Sequence, residues 1–311
     1  MAEASVLVSV QRRERGPEMV STPFVGRRES GYPSVKVLIP YFGAWPVWFR
    51  FFLESCAWNP DYRWVIFSDC TPPDDLPANV RIVQVTFSDY CALVSSRLRI
   101  AFAPASPYKL CDIKPALGEI HAEELDGVDF WAFGDLDVIY GDLASYFTIE
   151  RLSRFDLFAT HARRISGHLC LIRNMPDMNA AFRRVRGWQE IFETAEHRAF
   201  DERPYSKVFL RHKNSPGFVR RLAGMLDPWL RRAEFSEAYT TPNAGVRWRD
   251  GTSNFPRVWT WRRGRLSNDL DNTSIYPYLH FMVWKDAWKH LPSMADARAT
   301  APLRECVWTI S

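Results

Sequence analysis

The chain has 311 residues, of which 47% are hydrophobic and 24% are charged, and its net charge is +4 at pH 7. This length suits one large α/β domain or two small ones, and the composition supports a sizeable core rather than a disordered chain. The positive charge is mild and the arginines are spread along the second half. Nucleic acid is therefore not an expected partner, whereas an anionic substrate or an anionic membrane surface is compatible with the charge.

The cysteines and the apolar runs indicate the compartment. Six cysteines are widely scattered, without a CxxC pair: Cys56, Cys70, Cys91, Cys111, Cys170 and Cys306. This spacing predicts neither a disulfide framework nor a zinc site. No run approaches the roughly 18–20 apolar residues that span a bilayer, and the beginning of the chain lacks the order of a signal peptide. We expect a cytoplasmic protein, for which peripheral contact with the inner face of a membrane stays open.

The chain divides into three parts by composition. Residues 1–33 mix charges with Gly, Pro and Ser without a sustained period, which predicts a flexible arm. We expect one ordered domain over residues 34–295 and a tail over residues 296–311.

Within the domain, strands and helices alternate from the start. Strands are predicted at Val35–Pro40, Arg63–Asp69 and Val80–Val85, with a helix over Trp45–Cys56 between the first two. This alternation predicts an α/β fold with a mixed, mostly parallel sheet and helices on both faces. Later segments predict helices at Lys114–Glu123 and Met178–Glu196, strands at Phe155–Thr160 and His168–Ile172, and a functional loop region over residues 240–280.

Two aspartates follow an aromatic-rich apolar run and are separated by one residue. The run is Phe130–Gly134, and the aspartates are Asp135 and Asp137. Residues i and i+2 of a strand project to one face, and the carboxyl ends of such strands are where open α/β sheets bind ligands. Asp-x-Asp also occurs by chance in solvated turns. In this context, however, the pair predicts a site for Mg²⁺ or Mn²⁺ that leaves coordination positions open for phosphate oxygens.

Six short segments together resemble the motifs of GT-A-type nucleotide-sugar glycosyltransferases, especially the glycogenin-like and bacterial polysaccharide galactosyltransferase families. They lie between residues 35 and 290, in the order Val37–Gly43, Tyr108–Pro115, Gly134–Asp137, Ile165–Leu169, Phe200–Glu202 and Tyr278–Phe281 with Trp284 and Lys285. Each motif is short, so the resemblance depends on their combination. The chain departs from the family after His280-Phe281, where Met282 and Val283 replace the usual glycine.

The resemblance implies a role for each matching residue. Pro40 and Tyr41 would hold the nucleoside, Lys109 and Asp112 would contact the nucleotide, and Gly167 would border the donor sugar. The remaining roles follow in the same way: Asp135, Asp137 and His280 as metal ligands, Lys285 as a contact to the diphosphate, and Asp201 and Glu202 as acidic, catalytic residues beside the sugar. An imidazole ligand favours Mn²⁺ over Mg²⁺.

Several of these residues have simpler alternatives. Asp112 could cap a helix with Lys109 as a neighbouring surface charge, and Asp201 and Glu202 could open a helix that runs toward Phe209. An isolated histidine between apolar residues, such as His280, usually packs in a core. His168 reads as a structural histidine. The loop-region tryptophans Trp248, Trp259 and Trp261 could stack on a sugar or anchor the loop.

The sequence thus predicts a metal-dependent glycosyltransferase that uses a nucleotide-diphosphate sugar, with a UDP-sugar favoured. The acceptor would be a glycan, a lipid-linked glycan or a small molecule, and polysaccharide biosynthesis is the usual setting of the resembled families. Two alternatives stay open: a metal-dependent nucleotidyltransferase or phosphohydrolase, and a non-catalytic carbohydrate-binding protein. The glycogenin-like resemblance leans toward retention of configuration at the transferred sugar.

Overall fold

The computed structural model describes residues 31–211, 214–241 and 246–280, together with the backbone of a strand at 305–309. The strands are β1 (Val35–Pro40), β2 (Tyr62–Ser68), β3 (Val80–Gln84), β4 (Phe130–Gly134), β5 (Val138–Tyr140), β6 (Leu157–Ala159), β7 (Leu169–Arg173), β8 (Ala233–Phe235), β9 (Val258–Arg262), β10 (Arg265–Asn268), β11 (Tyr278–His280) and β12 (Glu305–Thr309). The α-helices are α1 (Phe49–Ala57), α2 (Phe87–Leu98), α3 (Leu110–Ile113), α4 (Leu117–Ile120), α5 (Leu143–Tyr146), α6 (Ile149–Arg154), α7 (Pro176–Asn179), α8 (Trp188–Glu193), α9 (Ser206–Phe209) and α10 (Gly217–Leu226).

Within the described residues, the central sheet has seven strands in the order β3-β2-β1-β4-β7-β6-β8. Strands β3, β2, β1 and β4 run parallel to one another. Strand β7 runs antiparallel to both of its neighbours, β4 and β6, and β8 is parallel to β6. The predicted α/β class with a mixed, mostly parallel sheet is therefore confirmed.

Helices cover both faces of this sheet because alternate strand residues point to opposite sides. On one side, residues such as Val37 pack with α1, α5 and α6 in one buried cluster. On the other side, residues such as Leu38 pack with α2, α4, α7 and α8 in a second cluster. The sequence predicted β1, β2 and β3 to within one residue at each end, because each is a short run rich in β-branched and aromatic residues.

The region from residue 240 to 280 is more regular than the predicted loop. It contains the antiparallel pair β9 and β10, and strand β11, which pairs with β5. Trp259 and Trp261 lie two residues apart on one face of β9, and both are buried with Trp248 in a third cluster. These tryptophans therefore anchor the region and do not line the cavity described below.

Strand β12 adds to the same small sheet, antiparallel to β9. This pairing joins part of the predicted tail, residues 296–311, to the domain. The boundaries predicted at residues 33 and 295 stay predictions.

Two predicted helices are broken into shorter pieces. The first consists of a 3-10 turn at Lys114–Ala116, helix α4, and a second 3-10 turn at Ala122–Leu125. The second prediction, over Met178–Glu196, is realised as α7, a 3-10 turn at Ala181–Arg184, and α8. Here Gly187 adopts a left-handed backbone, with φ of 73°, directly before α8. The non-helical backbone of His121, with φ of −113° and ψ of 35°, ends α4 inside the first predicted helix, and a left-handed residue cannot continue the second helix.

Helices α2 and α10 were not predicted. Helix α2 begins where the Thr86 hydroxyl accepts a hydrogen bond from the amide of Asp89, which is a capping interaction. Helix α10 has large apolar side chains, among them Phe218 and Leu226, exposed on its surface. No helix in the described parts of the chain has both the length and the hydropathy of a membrane span.

Candidate active site

The sheet topology brings four segments to one edge. Strands β1 and β4 are parallel neighbours, so Tyr41, which follows β1, lies beside Asp135, which follows β4. Strand β7 runs in the opposite direction, with Leu169 opposite Gly134, and the residues that precede it therefore lie at the same edge. Strand β11 places His280 opposite Val138, next to Asp137. Ligands of open α/β sheets bind at this edge.

A cavity of about 1070 Å³ opens there. It is lined by these predicted site residues: Pro40, Tyr41, Asp135, Asp137, Gly167, Asp201, Glu202 and His280. The volume is of the size that small-molecule and cofactor sites occupy. Of the remaining predicted residues, Lys285 lies outside the described residues, and Lys109 and Asp112 do not line the cavity.

Asp137 and His280 form one polar contact in the cavity wall. The Nε2 atom of His280 lies 3.4 Å from a carboxylate oxygen of Asp137, and both side chains are largely buried. The Nδ1 atom of His280 lies 3.3 Å from the hydroxyl of Thr241. This second contact holds the ring so that Nε2 faces Asp137, which is how outer partners orient a ligating imidazole.

His168 also lines the cavity and stacks on His280, with ring centroids 4.1 Å apart. Its Nε2 atom lies 2.7 Å from the hydroxyl of Tyr278. Burial, and after it the neighbouring His280, hold the pKa of His168 well below its ordinary value. His168 is therefore a neutral ring that supports His280, in agreement with the structural reading of the sequence.

Asp135 contacts a lysine that the sequence analysis did not single out. The ammonium of Lys114 lies 2.5 Å from the Asp135 carboxylate and donates to the carbonyl of Gly167 at 3.0 Å. Lys114 is buried, and burial acts to lower its pKa; the neighbouring Asp135, Cys111 and Asp201 together outweigh burial, and the pKa of Lys114 is raised. The cavity wall thus contains a permanently charged ammonium among its acids. The only sequence signal was its place in the motif Tyr108–Pro115.

Asp201 is buried beside Gly167. A Cβ atom on Gly167 would lie 2.7 Å from an Asp201 carboxylate oxygen, so the close approach requires glycine. Burial raises the pKa of Asp201 to about 7; Lys114 opposes this increase, while Glu202 and Asp135 add to it. A carboxyl group that titrates near neutral pH can act as an acid or a base.

Glu202 is more exposed and lies 3.2 Å from the guanidinium of Arg164. Both acids precede α9, which begins at Ser206 and has no acid in its first turn. The alternative that this acidic pair opens the helix toward Phe209 is therefore wrong.

Lys109 and Asp112 form a buried ion pair with an N–O distance of 2.8 Å. Asp112 accepts hydrogen bonds from the amides of Arg198 and Phe200, both at 2.8 Å. Lys109 also donates to the carbonyls of Ile191 and Glu196. The pair is thus satisfied within the protein and fixes the segment that leads to Asp201. The cap alternative is also not realised, since α3 has no side-chain cap.

Two further residues of the cavity were missed. Trp48 lines it and donates from its indole N–H to the carbonyl of Leu136 at 2.9 Å, which positions the loop between the two aspartates. Tyr108 is an exposed aromatic residue at the rim, in edge contact with His197. Aromatic faces at such rims can stack on a base or a sugar.

The donor atoms fit a divalent cation in kind. Asp135 and Asp137 offer carboxylate oxygens and His280 offers an imidazole nitrogen, a set that suits Mn²⁺. Among the described residues, however, no three His, Cys, Asp or Glu side chains are already grouped as a metal site. Asp135 contacts Lys114 while Asp137 contacts His280, so binding would require Asp135 to exchange its lysine partner for the cation.

Comparison with known protein families identifies one family for this chain. The chain belongs to the family of unknown function DUF6625, whose profile matches residues 37–295. The matched range covers nearly all of the predicted domain, including every candidate site residue. No curated protein matches the chain.

The chain is also similar to solved glycosyltransferases. A glycosyltransferase involved in the glycosylation of the major capsid of PBCV-1 matches with a TM-score of 0.41 and 9% identity, over 83% of this chain and all of that one. The galactosyltransferase LgtC, in complex with donor and acceptor sugar analogs, matches with a TM-score of 0.41 and 11% identity, over 86% of this chain and 97% of that one. TM-scores below 0.5 are too low to transfer an activity, so the function is argued from the site.

Proposed function

We propose that this protein is a metal-dependent glycosyltransferase that uses a nucleotide-diphosphate sugar. One observation carries the proposal: the edge of the sheet gathers Asp135, Asp137 and His280 in the same cavity as the second acidic pair, Asp201 and Glu202. The first group suits a cation that binds a diphosphate, and the second suits the sugar. A UDP-sugar is the favoured donor, because of the families that the sequence resembles.

In this proposal different cavity residues contact the nucleoside, the diphosphate and the sugar of the donor substrate. Pro40 and Tyr41 border the nucleoside end, and Gly167 borders the sugar beside Asp201. A divalent cation held by Asp135, Asp137 and His280 would neutralise the charge that develops on the departing diphosphate. Lys285 would contribute a further positive charge at the diphosphate. Lys109 and Asp112 would act indirectly, by holding the segment that carries Asp201.

The reaction breaks the bond between the anomeric carbon and the diphosphate oxygen, and forms a bond from that carbon to an acceptor hydroxyl oxygen. The hydroxyl proton must leave as this bond forms. In this proposal the carboxylate of Asp201, whose pKa is about 7, or that of Glu202 accepts it, and both residues line the cavity. The products are the glycosylated acceptor and a nucleoside diphosphate.

The test is a thermal-shift screen against UDP, GDP, CDP and ATP, each with Mn²⁺ or with a chelator. A ligand that binds only the folded state raises the midpoint. We expect a shift with one nucleoside diphosphate that requires Mn²⁺ and is lost in Asp137→Ala. Asp75→Ala, which removes an exposed carboxylate outside the cavity, is the matched control and should behave as the wild type.

The alternatives give different results. A shift with ATP alone, without release of nucleoside diphosphate from any nucleotide-sugar, would indicate a nucleotidyltransferase or phosphohydrolase. Glycan binding that is insensitive to chelator would indicate a carbohydrate-binding protein. Unchanged ligand binding in Asp137→Ala would contradict the metal assignment.

The acceptor in this proposal is a glycan, a lipid-linked glycan or a small molecule. A lipid-linked acceptor requires the protein to work at a membrane surface. Peripheral contact with a membrane does not depend on the acceptor, and helix α10 has an exposed apolar surface that could make this contact.

A further inference from the structure

Helix α10 carries its large apolar side chains on the outside of the protein. Phe218 is 75% exposed, Leu222 is 56% exposed, Met225 is 64% exposed and Leu226 is 78% exposed. Their spacing of i, i+4, i+7 and i+8 places all four along one stripe of the helix. An isolated exposed apolar residue needs no explanation, but a contiguous stripe marks an interaction surface.

The helix packs against the protein through its opposite, small-residue side. Gly224 is buried, and a Cβ atom there would lie 3.7 Å from the guanidinium of Arg231 in the following 3-10 turn. A helix that served only the core would have the reverse arrangement, with Phe, Leu and Met inward. The outward stripe is therefore a property of the surface and not a by-product of folding.

Positive charge is concentrated in the stretch of sequence that contains this helix. Residues 203–232 contain eight Lys and Arg residues and a single acid, Asp227, which is a balance of +7. The whole chain has a net charge of +4, so the rest of the chain has a balance of −3. Lys207, Arg221 and Arg231 are exposed in this part of the surface. Part of this positive charge is paired within the protein, since Arg232 forms an ion pair with Asp156.

We propose that α10 binds an anionic lipid membrane. Phe218, Leu222, Met225 and Leu226 would enter the boundary between headgroups and acyl chains, and the surrounding Lys and Arg side chains would contact lipid phosphates. A helix with Phe and Leu on one face and basic residues beside it is typical of helices that lie in the membrane interface. A second protein is a poorer occupant, because four side chains are far fewer than the roughly 20–30 residues per side of a stable interface.

The position of α10 connects this surface to the cavity. Asn214, just before the helix, accepts a hydrogen bond of 2.5 Å from Arg163, in the loop that leads to Gly167. A protein bound through α10 would thus hold the cavity loop close to the membrane. Delivery of a lipid-linked acceptor to the cavity rests on the proposed transferase function, whereas membrane binding through α10 does not.

The experiment is flotation of the full chain with vesicles of phosphatidylcholine alone or with 30 mol% phosphatidylglycerol (about one lipid in three). We expect binding to the anionic vesicles that weakens with added salt. The double variant Phe218→Ser/Leu222→Ser should bind at least about tenfold more weakly. The double variant Leu270→Ser/Ile275→Ser, which removes two exposed apolar side chains from the loop between β10 and β11, should bind as the wild type.

Each other outcome overturns the proposal. Absence of wild-type binding to anionic vesicles, or equal loss in both double variants, would contradict it. A wild-type dimer that Phe218→Ser/Leu222→Ser converts to a monomer would assign the stripe to a second copy of the chain. Thermal shifts with nucleoside diphosphate should be unchanged in both double variants, so failure of the membrane proposal is distinguishable from failure of the transferase proposal.

Discussion

At the scale of single residues, the charge of the cavity depends on Lys114. Its ammonium contacts Asp135 and the carbonyl of Gly167, and Asp201 lies on the other side of Gly167. Buried charges are stable only when they are paired. The lysine therefore balances the acids as long as no cation is bound, and it occupies the carboxylate that a cation would need.

Replacing this lysine should strengthen cation binding. In Lys114→Met, Asp135 loses its partner; because the Asp135 side chain is 34% exposed, water replaces part of the contact, and the loss of stability is smaller than the about 3–5 kcal/mol of a fully buried pair. The unbalanced carboxylates should then favour Mn²⁺, so Mn²⁺ should raise the thermal midpoint more in the variant than in the wild type. Denaturation scans with Mn²⁺ or with chelator measure the difference. Lys114→Arg, which keeps the charge, is the control. Equal Mn²⁺ effects in all three proteins would show that Lys114 does not compete with the cation.

At the scale of elements, the packing of α4 on the sheet depends on one glycine. A Cβ atom on Gly118 would lie 2.5 Å from the indole of Trp131, which is fully buried in β4. The close approach joins the helix that follows Lys114 to the strand that ends before Asp135. The distance between these elements, and with it the contact between Lys114 and Asp135, is therefore set by Gly118.

Alanine at position 118 should destabilise the protein, although alanine has a higher helix propensity than glycine. Glycine to alanine in a helix usually stabilises by up to about 1 kcal/mol, but overpacking a rigid core costs about 1–3 kcal/mol. We expect a net loss for Gly118→Ala and a small gain for Gly224→Ala in α10, where a Cβ atom would make only ordinary contacts. Urea denaturation of the two variants tests the contrast, and a gain in both would show that α4 can move away from Trp131.

At the scale of the whole molecule, two buried groups give the unfolding free energy opposite dependences on pH. His121 stacks on Phe67 and lies 2.9 Å from the hydroxyl of Tyr90. Burial lowers the pKa of His121 to about 4, from an ordinary value of 6.5. Between these values the unfolded chain binds a proton that the folded chain does not, so stability from this group falls as the pH falls. Burial raises the pKa of Asp201 from 3.8 to about 7, so stability from this group falls as the pH rises through that window.

Variants separate the two effects. His121→Gln should gain stability relative to the wild type as the pH falls from 7 to 4.5, by roughly 1–3 kcal/mol. Asp201→Asn should show the opposite trend, with its advantage largest near pH 7 and of similar size, roughly 1–3 kcal/mol. Urea denaturation at several pH values measures both differences. A pH-independent difference for either variant would mean that its group titrates alike in the folded and unfolded states.

The first strands were predictable from the sequence because each is a short run rich in β-branched and aromatic residues, even though Arg81 and Gln84 of β3 are exposed. The short, interrupted helices were not predictable, since the non-helical backbone of His121 and the left-handed Gly187 interrupt apolar periods that are continuous in the sequence. The strands between residues 240 and 280 were predicted as a loop for another reason. Only alternate residues of β9, Trp259 and Trp261, are buried there, while Thr260 is half-buried and Arg262 is exposed.

In the candidate site, too, some features were predictable from the sequence and others were not. Asp135, Asp137 and His280 were named from short motifs, and the structure brings them to one cavity. Lys109 and Asp112 came from the same kind of match, yet the fold buries them as an ion pair under the segment that leads to Asp201. A motif gives the residue types along the chain, but which neighbours a side chain meets depends on contacts between distant segments.

The amino-acid sequence by itself determined the fold class, the order of the first strands and the acidic pair at the end of β4, because each depends on local apolar runs and adjacent residues. Only the tertiary structure decided that Lys114 contacts Asp135, that His280 meets Asp137, and that the apolar stripe of α10 points outward. These features arise from segments up to 143 residues apart in number, as for Asp137 and His280, or from which side of a helix is covered. Pairing across the sheet and burial of helix faces are global outcomes of packing, and no local pattern specifies them.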